Sequence, residues 1–510
     1  MKDLTYIQGA LILAVTNLIT GSLAFFFRIY FSRSVGAEGM GVFQLVFPLY
    51  MLLITLVSGG ITTALSKIIA EYKVKLNLPA IIKTIRVSFF IIGLWSIFLS
   101  IIMLFNAEYI GSVLLKDERT IPSVIICIPS VFFISLSAIL RGYYFGMQKI
   151  KYPAAVDMAE KVVRLGGLIF ITNLMLPHGI AFTCAGAMLA ITAGEFISTL
   201  LLLIKYPNKK SSALKEKSKE DTLSIIKKII SLAVPLSLGG ALATIMDMIS
   251  AIMVPAQLRA AGYGTTALSL YGEVTGMVMP LISYPGIIVF SLTITLVPAI
   301  THSYVSKNVL ALNKKCNDSL TIAWSMGLLA TVLCISFPTE LCDVIYKCPE
   351  AGKLLFWTGL GCSPHYLHVT QFAILNGLGL QKKVLTNVMF DILINIACIY
   401  LFIPIAEIGI YGYIIGFVLS GIFISIRNVR ILKKQNTVQL DYTKVLLRPI
   451  IPFFCMLVVV KLTNTILMTF GFTYNMIFSG LIGILAFFIS LLLNGVFSWK
   501  QVKNTLSFIK

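Results

Sequence analysis

Apolar stretches of membrane-spanning length recur from one end of the chain to the other, and they constrain its fold more than any other feature. A bilayer core about 30 Å thick requires about 20 apolar residues per helix. Only 12% of the residues are charged, against about 25% in a typical soluble protein. The segments that meet the length are 7–31, 41–66, 86–105, 121–145, 154–176, 179–204, 229–255, 268–300, 317–338, 354–378, 384–404, 407–427, 449–470 and 474–496. We therefore predict an all-α polytopic membrane protein with 14 transmembrane helices.

The distribution of basic residues predicts the orientation of these helices. Most of the 41 lysines and arginines fall in alternate loops and at the termini, which the positive-inside rule assigns to the cytoplasm together with both chain ends. The opposite loops hold only Arg33, Lys116, Arg119, Arg259, Lys347 and Lys353. The net charge of +20 therefore reflects short membrane loops and does not indicate nucleic-acid binding. The first apolar segment lacks a small-residue cleavage site, so we interpret it as a retained helix.

The domain organisation is predicted from a weak internal repeat around a polar linker. Residues 205–228 read KYPNKKSSALKEKSKEDTLSIIKK and separate an N-terminal lobe, 1–204, from a C-terminal lobe, 229–430. A cytoplasmic loop, 431–448, precedes two further helices and a tail in 449–510. Each lobe has six spans, so the two copies share one orientation, as in transporters built from parallel repeats.

Three sequence matches support the repeat. Pro48 and Pro280, like Tyr72 and Tyr304, are separated by 232 positions. The segment ILRGYYFGMQK ends the fourth span of the first lobe, and ILNGLGLQK ends the fourth span of the second. An aspartate follows a few residues into each next span, at Asp157 and Asp391.

The fifth span, VDMAEKVVRLGGLIFITNLML, carries four charges in its first half. Asp157, Glu160, Lys161 and Arg164 recur at i, i+3, i+4 and i+7 and so share one helix face. We predict the i,i+4 pairs Asp157–Lys161 and Glu160–Arg164. One interpretation is ion pairing near the cytoplasmic surface, with Arg164 snorkelling. The alternative is the wall of a water-filled cavity, because ionisable residues in spans usually face an interior or water.

Other charged residues that we single out inside predicted spans are Arg28, Glu195, Asp247, Glu273 and Asp391. A cationic cavity suits a pyrophosphate, whereas acidic residues suit protons, Na⁺ or cationic drugs. Because both signs occur, charge alone leaves the substrate open.

The chain lacks motifs for nucleotide-driven or hydrolytic chemistry. It contains no GxxxxGK[ST], HExxH or GxSxG, so we predict no enzyme activity and no bound cofactor. Cys342 and Cys348 share an external loop, and whether they pair stays open. His365 and His368 are better explained as a polar pair in a helix than as metal ligands.

The N-terminal run TNLITGSLAFFFRIYFSRSVGAEGMGVFQLVFPLY, the RGYYFGMQK segment and the six-six-two arrangement of spans resemble the polysaccharide-transporter branch of the multidrug/oligosaccharidyl-lipid/polysaccharide (MOP) flippase superfamily, which is related to the lipid II flippase. The resemblance implies two six-helix lobes around a central cavity and alternating access. It implies transport of an undecaprenyl-pyrophosphate-linked saccharide across a bacterial cytoplasmic membrane, during spore cortex peptidoglycan synthesis at the membrane around the forespore. Arg28 matches a cavity arginine of the lipid II flippase family.

We therefore hypothesise that Asp157, Glu160, Lys161 and Arg164 line the cytoplasmic mouth of the cavity, where the two cations attract the pyrophosphate. Glu195, Asp247, Glu273 and Asp391 are candidate coupling or cavity acids for an H⁺ or Na⁺ gradient, with the membrane potential as another driving force. The expected partners are a lipid-linked saccharide, membrane lipids and cell-wall synthesis proteins, with no nucleic acid. Two alternatives stay open: a cation-coupled multidrug antiporter, which requires an acid such as Asp247 or Glu273, and a non-transporting scaffold for cortex synthesis.

Overall fold

The computed structural model describes residues 6–206, 220–434, 438–467 and 472–496, and every regular element within these ranges is helical. Both chain ends and residues 207–219 of the predicted basic linker lie outside the described residues. Within these ranges, eleven helical segments are long and apolar enough to cross a membrane. One of them, Val15–Val74, has 60 residues and about 90 Å of helical rise, which is enough for two crossings. The all-α polytopic fold is confirmed, while the count of 14 spans and the side of the termini stay predictions.

The first of two compact units contains residues 1–256 and 265–272. Its longest helix, α1, changes direction at Gly36, where φ is +67° and a residue with a Cβ is disfavoured. Three helices, α5, α6 and α7, pack against one another beside α1. The helices of this unit are α1 (Tyr6–Ser58), α2 (Ile61–Val74), α3 (Leu78–Phe105), α4 (Ala107–Tyr109), α5 (Ile121–Gly146), α6 (Lys151–Met175), α7 (Ile180–Ile204), most of α8 (Thr222–Ala260) and α9 (Thr266–Gly272).

The second compact unit contains residues 257–264 and 273–510. It starts with a π-helix at Glu273–Val278. Its α-helices are α10 (Met279–Ser283), α11 (Gly286–Val305), α12 (Val309–Ser336), α13 (Pro338–Tyr346), α14 (Ala351–Gly359), α15 (Cys362–Gly377), α16 (Gln381–Phe402), α17 (Tyr411–Lys433), α18 (Ile450–Ile466) and α19 (Phe472–Leu493). The last two pack on each other, and α18 also packs on α12.

Two predicted spans are wrong in detail because each is interrupted. Segment 268–300 is divided among α9, the π-helix, α10 and α11, and the chain turns at Tyr284 and Pro285. Proline lacks the backbone donor that would continue the helix. Segment 354–378 is similarly divided between α14 and α15 at Leu360 and Gly361.

The internal repeat is visible in equivalent helix ends. Asn77 caps α3 by accepting from the Ala80 N–H at 3.1 Å, and Asn308 caps α12 by accepting from the Ala311 N–H at 2.9 Å. Both helices have 28 residues. The residue before each cap, Leu76 or Lys307, is left-handed. The offset is 231 positions (77 to 308), so the sequence offset of 232 is wrong by one residue here.

The same offset holds at the ends of α5 and α15 and at the starts of α7 and α17. After α5 the N–H of Lys149 bonds the Tyr144 carbonyl, and after α15 the N–H of Leu380 bonds the Leu375 carbonyl, each at 2.8–2.9 Å. Helices α7 and α17 begin at Ile180 and Tyr411, again 231 positions apart. The repeat therefore makes α5–α7 equivalent to α15–α17.

The two asparagine caps predict matched losses of stability. We expect Asn77→Ala and Asn308→Ala each to lower the free energy of unfolding by about 1 kcal/mol, because each leaves a backbone N–H of the first turn without its side-chain acceptor. Thermal unfolding of the purified protein measures the effect. Gln381→Ala, at an exposed helix start, is the control. Equal stability of all three variants would contradict the capping role.

Candidate functional site

Helix α6 places the charged residues of the fifth span deep in the membrane-length bundle. It starts at Lys151, so Lys161 lies about 15 Å and Arg164 about 20 Å along the helix axis. Helix α6 is not among the eleven candidate spans, so its crossing of a bilayer core about 30 Å thick stays a prediction. Of the four charged side chains, that of Glu160 is the most buried, with 2% of its surface exposed.

Arg164 connects α6 to α7 through two carboxylates. Its Nη2 lies 2.5 Å from Glu160 Oε1 and 2.9 Å from Glu195 Oε1. The second oxygen of Glu160 accepts from Lys161 Nζ at 2.7 Å. The result is a chain of alternating charge, Lys161–Glu160–Arg164–Glu195, which includes the predicted Glu160–Arg164 pair.

The predicted Asp157–Lys161 pair is wrong, because Asp157 pairs with a different helix. Arg141 Nη2, on α5, lies 3.0 Å from Asp157 Oδ1 and donates to Ser198 Oγ on α7 at 3.1 Å. Lys161 is drawn to the more buried Glu160 instead. Together Arg141, Asp157, Glu160, Lys161, Arg164 and Glu195 form what we call the α5–α7 charge network.

Gly194 on α7 allows the backbone of that helix to pack closely against this network. A Cβ at Gly194 would lie 3.1 Å from Glu160 Oε1 and 3.4 Å from Arg164 Cβ. The backbone of α7 can therefore approach the ion pair more closely than a larger residue would permit. With all groups ionised, the three cations and three carboxylates of the network balance. It is thus a paired structure and not an open cationic patch.

Arg28 lies on α1 and contacts an aromatic ring of the same helix. It is half-buried on α1, and its guanidinium lies 5.3 Å from the centre of the Phe47 ring. Two residues further, the Tyr30 hydroxyl donates to Asn173 Oδ1 on α6 at 3.1 Å. This bond joins α1 to α6 at Tyr30, and because residues two apart point to different sides of a helix, it does not place Arg28 against α6.

The three other acids singled out from the sequence belong to helices other than α5, α6 and α7. Asp247 is exposed on α8 of the first unit. Glu273 is buried in the π-helix of the second unit. Asp391 Oδ1, on α16, accepts from Asn395 Nδ2 at 3.1 Å, and the same amide lies 3.2 Å from Ser420 Oγ on α17.

The repeat relates Asp391 to the charge network. At an offset of 231 positions, Asp391 is equivalent to Glu160 and Asn395 to Arg164, so the sequence match of Asp391 with Asp157 is wrong. Each pair is an i,i+4 contact along its helix. In the first unit Glu160 contacts the guanidinium of Arg164. In the second unit Asp391 contacts the neutral amide of Asn395.

The structure shows the surroundings of the cysteine and histidine pairs singled out from the sequence. Cys342 and Cys348 are free thiols. The rings of His365 and His368 meet edge-to-face at 4.8 Å, and His365 also lies against Phe417. Among the described residues, no group of three or more histidine, cysteine or acidic side chains could hold a metal ion.

Comparison with known families identifies the chain. A family described as polysaccharide biosynthesis protein matches residues 6–304. This chain belongs to the polysaccharide biosynthesis protein family.

Two curated relatives of this family protein come from Bacillus subtilis (strain 168). Stage V sporulation protein B is 27% identical over 438 residues, which cover 85% of each chain. Lipid II flippase MurJ is 24% identical over 414 residues, which cover 76% of each chain.

Two solved structures share the fold. Lipid II flippase MurJ in an inward closed conformation aligns with a TM-score of 0.68 at 16% identity, covering 93% of this chain and 97% of that one. An inward-facing multidrug resistance MATE family transporter of the MOP superfamily aligns with a TM-score of 0.65 at 16% identity, covering 83% and 99%. The chain is thus a multi-pass membrane protein of the polysaccharide biosynthesis protein family with the fold of these two structures.

Proposed function

We propose that this protein is an alternating-access flippase that moves an undecaprenyl-pyrophosphate-linked saccharide across the cytoplasmic membrane for spore cortex synthesis. The sequence relationships to a sporulation protein and to a lipid II flippase support this substrate class. The observation that carries the proposal is the α5–α7 charge network, a set of partly buried ion pairs among three packed helices, which we take to lie within the membrane. Six charges at such depth are costly unless they serve an interior path.

Lys161 is the residue of the network that binds the phosphate. Its side chain is 25% exposed, against 14% for Arg164. Glu160 is shared between Lys161 and Arg164, so Lys161 can leave Glu160 without stranding a buried carboxylate. A pyrophosphate oxygen takes the place of the Glu160 oxygen on the ammonium group and forms a charge-assisted hydrogen bond.

Arg164 acts as the fixed part of the site. It lies between two carboxylates on different helices, and its release would leave both without their nearest cation. It therefore holds α6 against α7 while Lys161 exchanges partners. This assignment differs from the sequence hypothesis, in which both cations attract the pyrophosphate.

Asp391 couples transport to a cation gradient. Its equivalent in the first unit, Glu160, is neutralised by Arg164, whereas Asp391 contacts the amide of Asn395. A carboxylate at membrane depth requires a positive charge. An H⁺ or Na⁺ taken from solution supplies at Asp391 the charge that a side chain supplies at Glu160.

The role of Lys161 can be tested by flipping kinetics in proteoliposomes. We expect Lys161→Gln to raise the half-saturating concentration of a labelled undecaprenyl-pyrophosphate saccharide about tenfold, since a hydrogen bond between charged groups contributes about 1.5–3 kcal/mol. The unfolding midpoint should change little, because Glu160 keeps Arg164. Lys151→Gln, at the exposed start of the same helix, is the matched control. Unchanged saturation in Lys161→Gln would remove Lys161 from the site.

A further inference from the structure

Arg427 is a cation of the second unit that is held by neutral groups. It lies on α17, six residues before the helix ends and so about 9 Å from that end. Its Nε donates to Asn387 Oδ1 at 2.6 Å, and its guanidinium lies 4.0 Å from the centre of the Phe390 ring. Both partners are on α16. The guanidinium is therefore fixed in the seam between the two helices.

The groups behind Arg427 form a buried amide network. Asn387 Nδ2 donates to Asn428 Oδ1 at 2.6 Å, and Asn428 Nδ2 donates to Gln371 Oε1 at 3.1 Å. All three amides are fully buried. This network orients the Asn387 oxygen that holds Arg427, but it supplies no negative charge.

Two arginines of the first unit, Arg141 and Arg164, differ from Arg427 in having acidic partners. Arg141 and Arg164 each have a carboxylate within 3.0 Å. Within the described ranges of the second unit, no carboxylate forms a salt bridge with Arg427; the ion pair found there joins Lys444 to Asp318. A charged side chain at membrane depth is costly without an anion. An anion that stabilises the charge of Arg427 would therefore come from outside the described residues.

The surroundings of Arg427 combine an apolar surface with a basic rim. Large apolar side chains next to it are exposed on the outer faces of both helices, namely Leu385, Met389, Leu393, Leu419, Ile422, Phe423 and Ile426. Towards the nearby ends of the two helices, Lys382, Lys383, Arg430, Lys433 and Lys434 are also exposed. The positive-inside rule assigns this end to the cytoplasm.

We infer that Arg427 is the centre of a binding site for an anionic phospholipid of the cytoplasmic leaflet. The planar guanidinium donates to the lipid phosphate from its Nη groups while Asn387 and Phe390 hold its plane. The acyl chains lie on the exposed apolar faces of α16 and α17. Basic pockets between transmembrane helices on the cytoplasmic side are suited to such headgroups.

The fit favours a phospholipid over a soluble phosphate or the diphosphate of a transported lipid. A soluble phosphate would gain nothing from the apolar faces beside Arg427. A transported lipid must leave its site in every cycle, whereas Arg427 is fixed by a hydrogen bond, a ring contact and a buried network. The inference is independent of the proposed flippase activity.

The test measures binding of phosphatidylglycerol and phosphatidylcholine to the full-length protein in detergent by native mass spectrometry. We expect wild type to retain phosphatidylglycerol at least about tenfold more tightly than phosphatidylcholine, a difference of about 1.4 kcal/mol. Arg427→Gln should lose most of this preference. Arg430→Gln, one turn away on the same helix and exposed, should keep it.

Three outcomes overturn the inference. Wild type with no preference for phosphatidylglycerol would show that the site does not select anionic lipid. Equal losses in Arg427→Gln and Arg430→Gln would show only a diffuse basic surface. Displacement of phosphatidylglycerol from wild type by an equimolar amount of undecaprenyl diphosphate, but not in Arg427→Gln, would assign Arg427 to the transported lipid. Thermal unfolding of each variant in phosphatidylcholine detects misfolding. If Arg427→Gln misfolds, Arg427→Lys is used in its place. It keeps the charge and should retain part of the preference for phosphatidylglycerol.

Discussion

Replacement of Arg164 by methionine is expected to lower the free energy of unfolding by about 3–5 kcal/mol and to abolish flipping. The change removes the cation that lies between Glu160 and Glu195 and leaves Glu195 as a buried charge without its nearest partner. Breaking a buried ion pair by removing one partner has a cost of this size. Arg86→Met, at an exposed arginine of α3, is the control and should change stability by less than about 0.5 kcal/mol.

A double-mutant cycle separates the stranded charge from lost packing. Glu195→Gln keeps the shape of the side chain and removes its charge, so it should cost less than Arg164→Met because Arg164 keeps Glu160. The double variant should be more stable than the sum of the single changes by about 1–3 kcal/mol, as expected for residues in direct contact. Thermal or denaturant unfolding measures all three. Strict additivity would mean that the 2.9 Å contact contributes nothing.

Asp391→Asn is expected to uncouple transport from the cation gradient. Asparagine preserves the size of the side chain and its contact with Asn395, but it no longer requires a cation. In proteoliposomes with an imposed H⁺ or Na⁺ gradient, we expect stimulation of flipping to fall at least about tenfold, a change of about 1.4 kcal/mol.

The control for this experiment is Glu407→Gln, an exposed acid in the loop between α16 and α17. It should respond to the gradient like wild type. A gradient response in Asp391→Asn equal to that of wild type would exclude Asp391 as the coupling group and leave Glu195, Asp247 and Glu273 as the remaining sequence candidates.

The charged span shows what helical periodicity can and cannot predict. Glu160 and Arg164 are four residues apart on one helix, so their pairing follows from the sequence alone. Arg141 and Glu195 belong to other helices, and only the packing of α5 and α7 on α6 brings them to Asp157 and Arg164. Lys161 could pair with either Asp157 or Glu160 on its own helix. In the structure it pairs with Glu160, and Asp157 pairs with Arg141.

The sequence also predicts the positions of long helices better than it predicts where they are interrupted. Hydropathy reports whether a stretch is apolar, so the existence of most long helices could be predicted within a few residues of their ends. It does not report backbone hydrogen bonding, so it does not predict the interruption at Pro285. The close approach of α7 to Glu160 depends on Gly194, which carried no signal in the sequence on its own.

The repeat shows how the structure refines a sequence match. Dissimilar residues at equivalent positions, such as Leu76 and Lys307, share a left-handed backbone that sequence identity cannot reveal. The resulting offset pairs Asp391 with Glu160 and not with Asp157. On this equivalence, a cation from solution at Asp391 takes the place that Arg164 has beside Glu160 in the first unit.

The most direct test of the proposed function is transport by the purified wild-type protein in proteoliposomes that carry H⁺ or Na⁺ gradients. The substrates to compare are a labelled undecaprenyl-pyrophosphate saccharide and a cationic drug. The proposal predicts that the lipid-linked saccharide is flipped, that drug efflux is at background, and that Arg164→Met abolishes flipping while Arg86→Met does not. Drug efflux without saccharide flipping would instead favour a multidrug antiporter. No transport of either substrate by folded protein would contradict the flippase function and favour a scaffold.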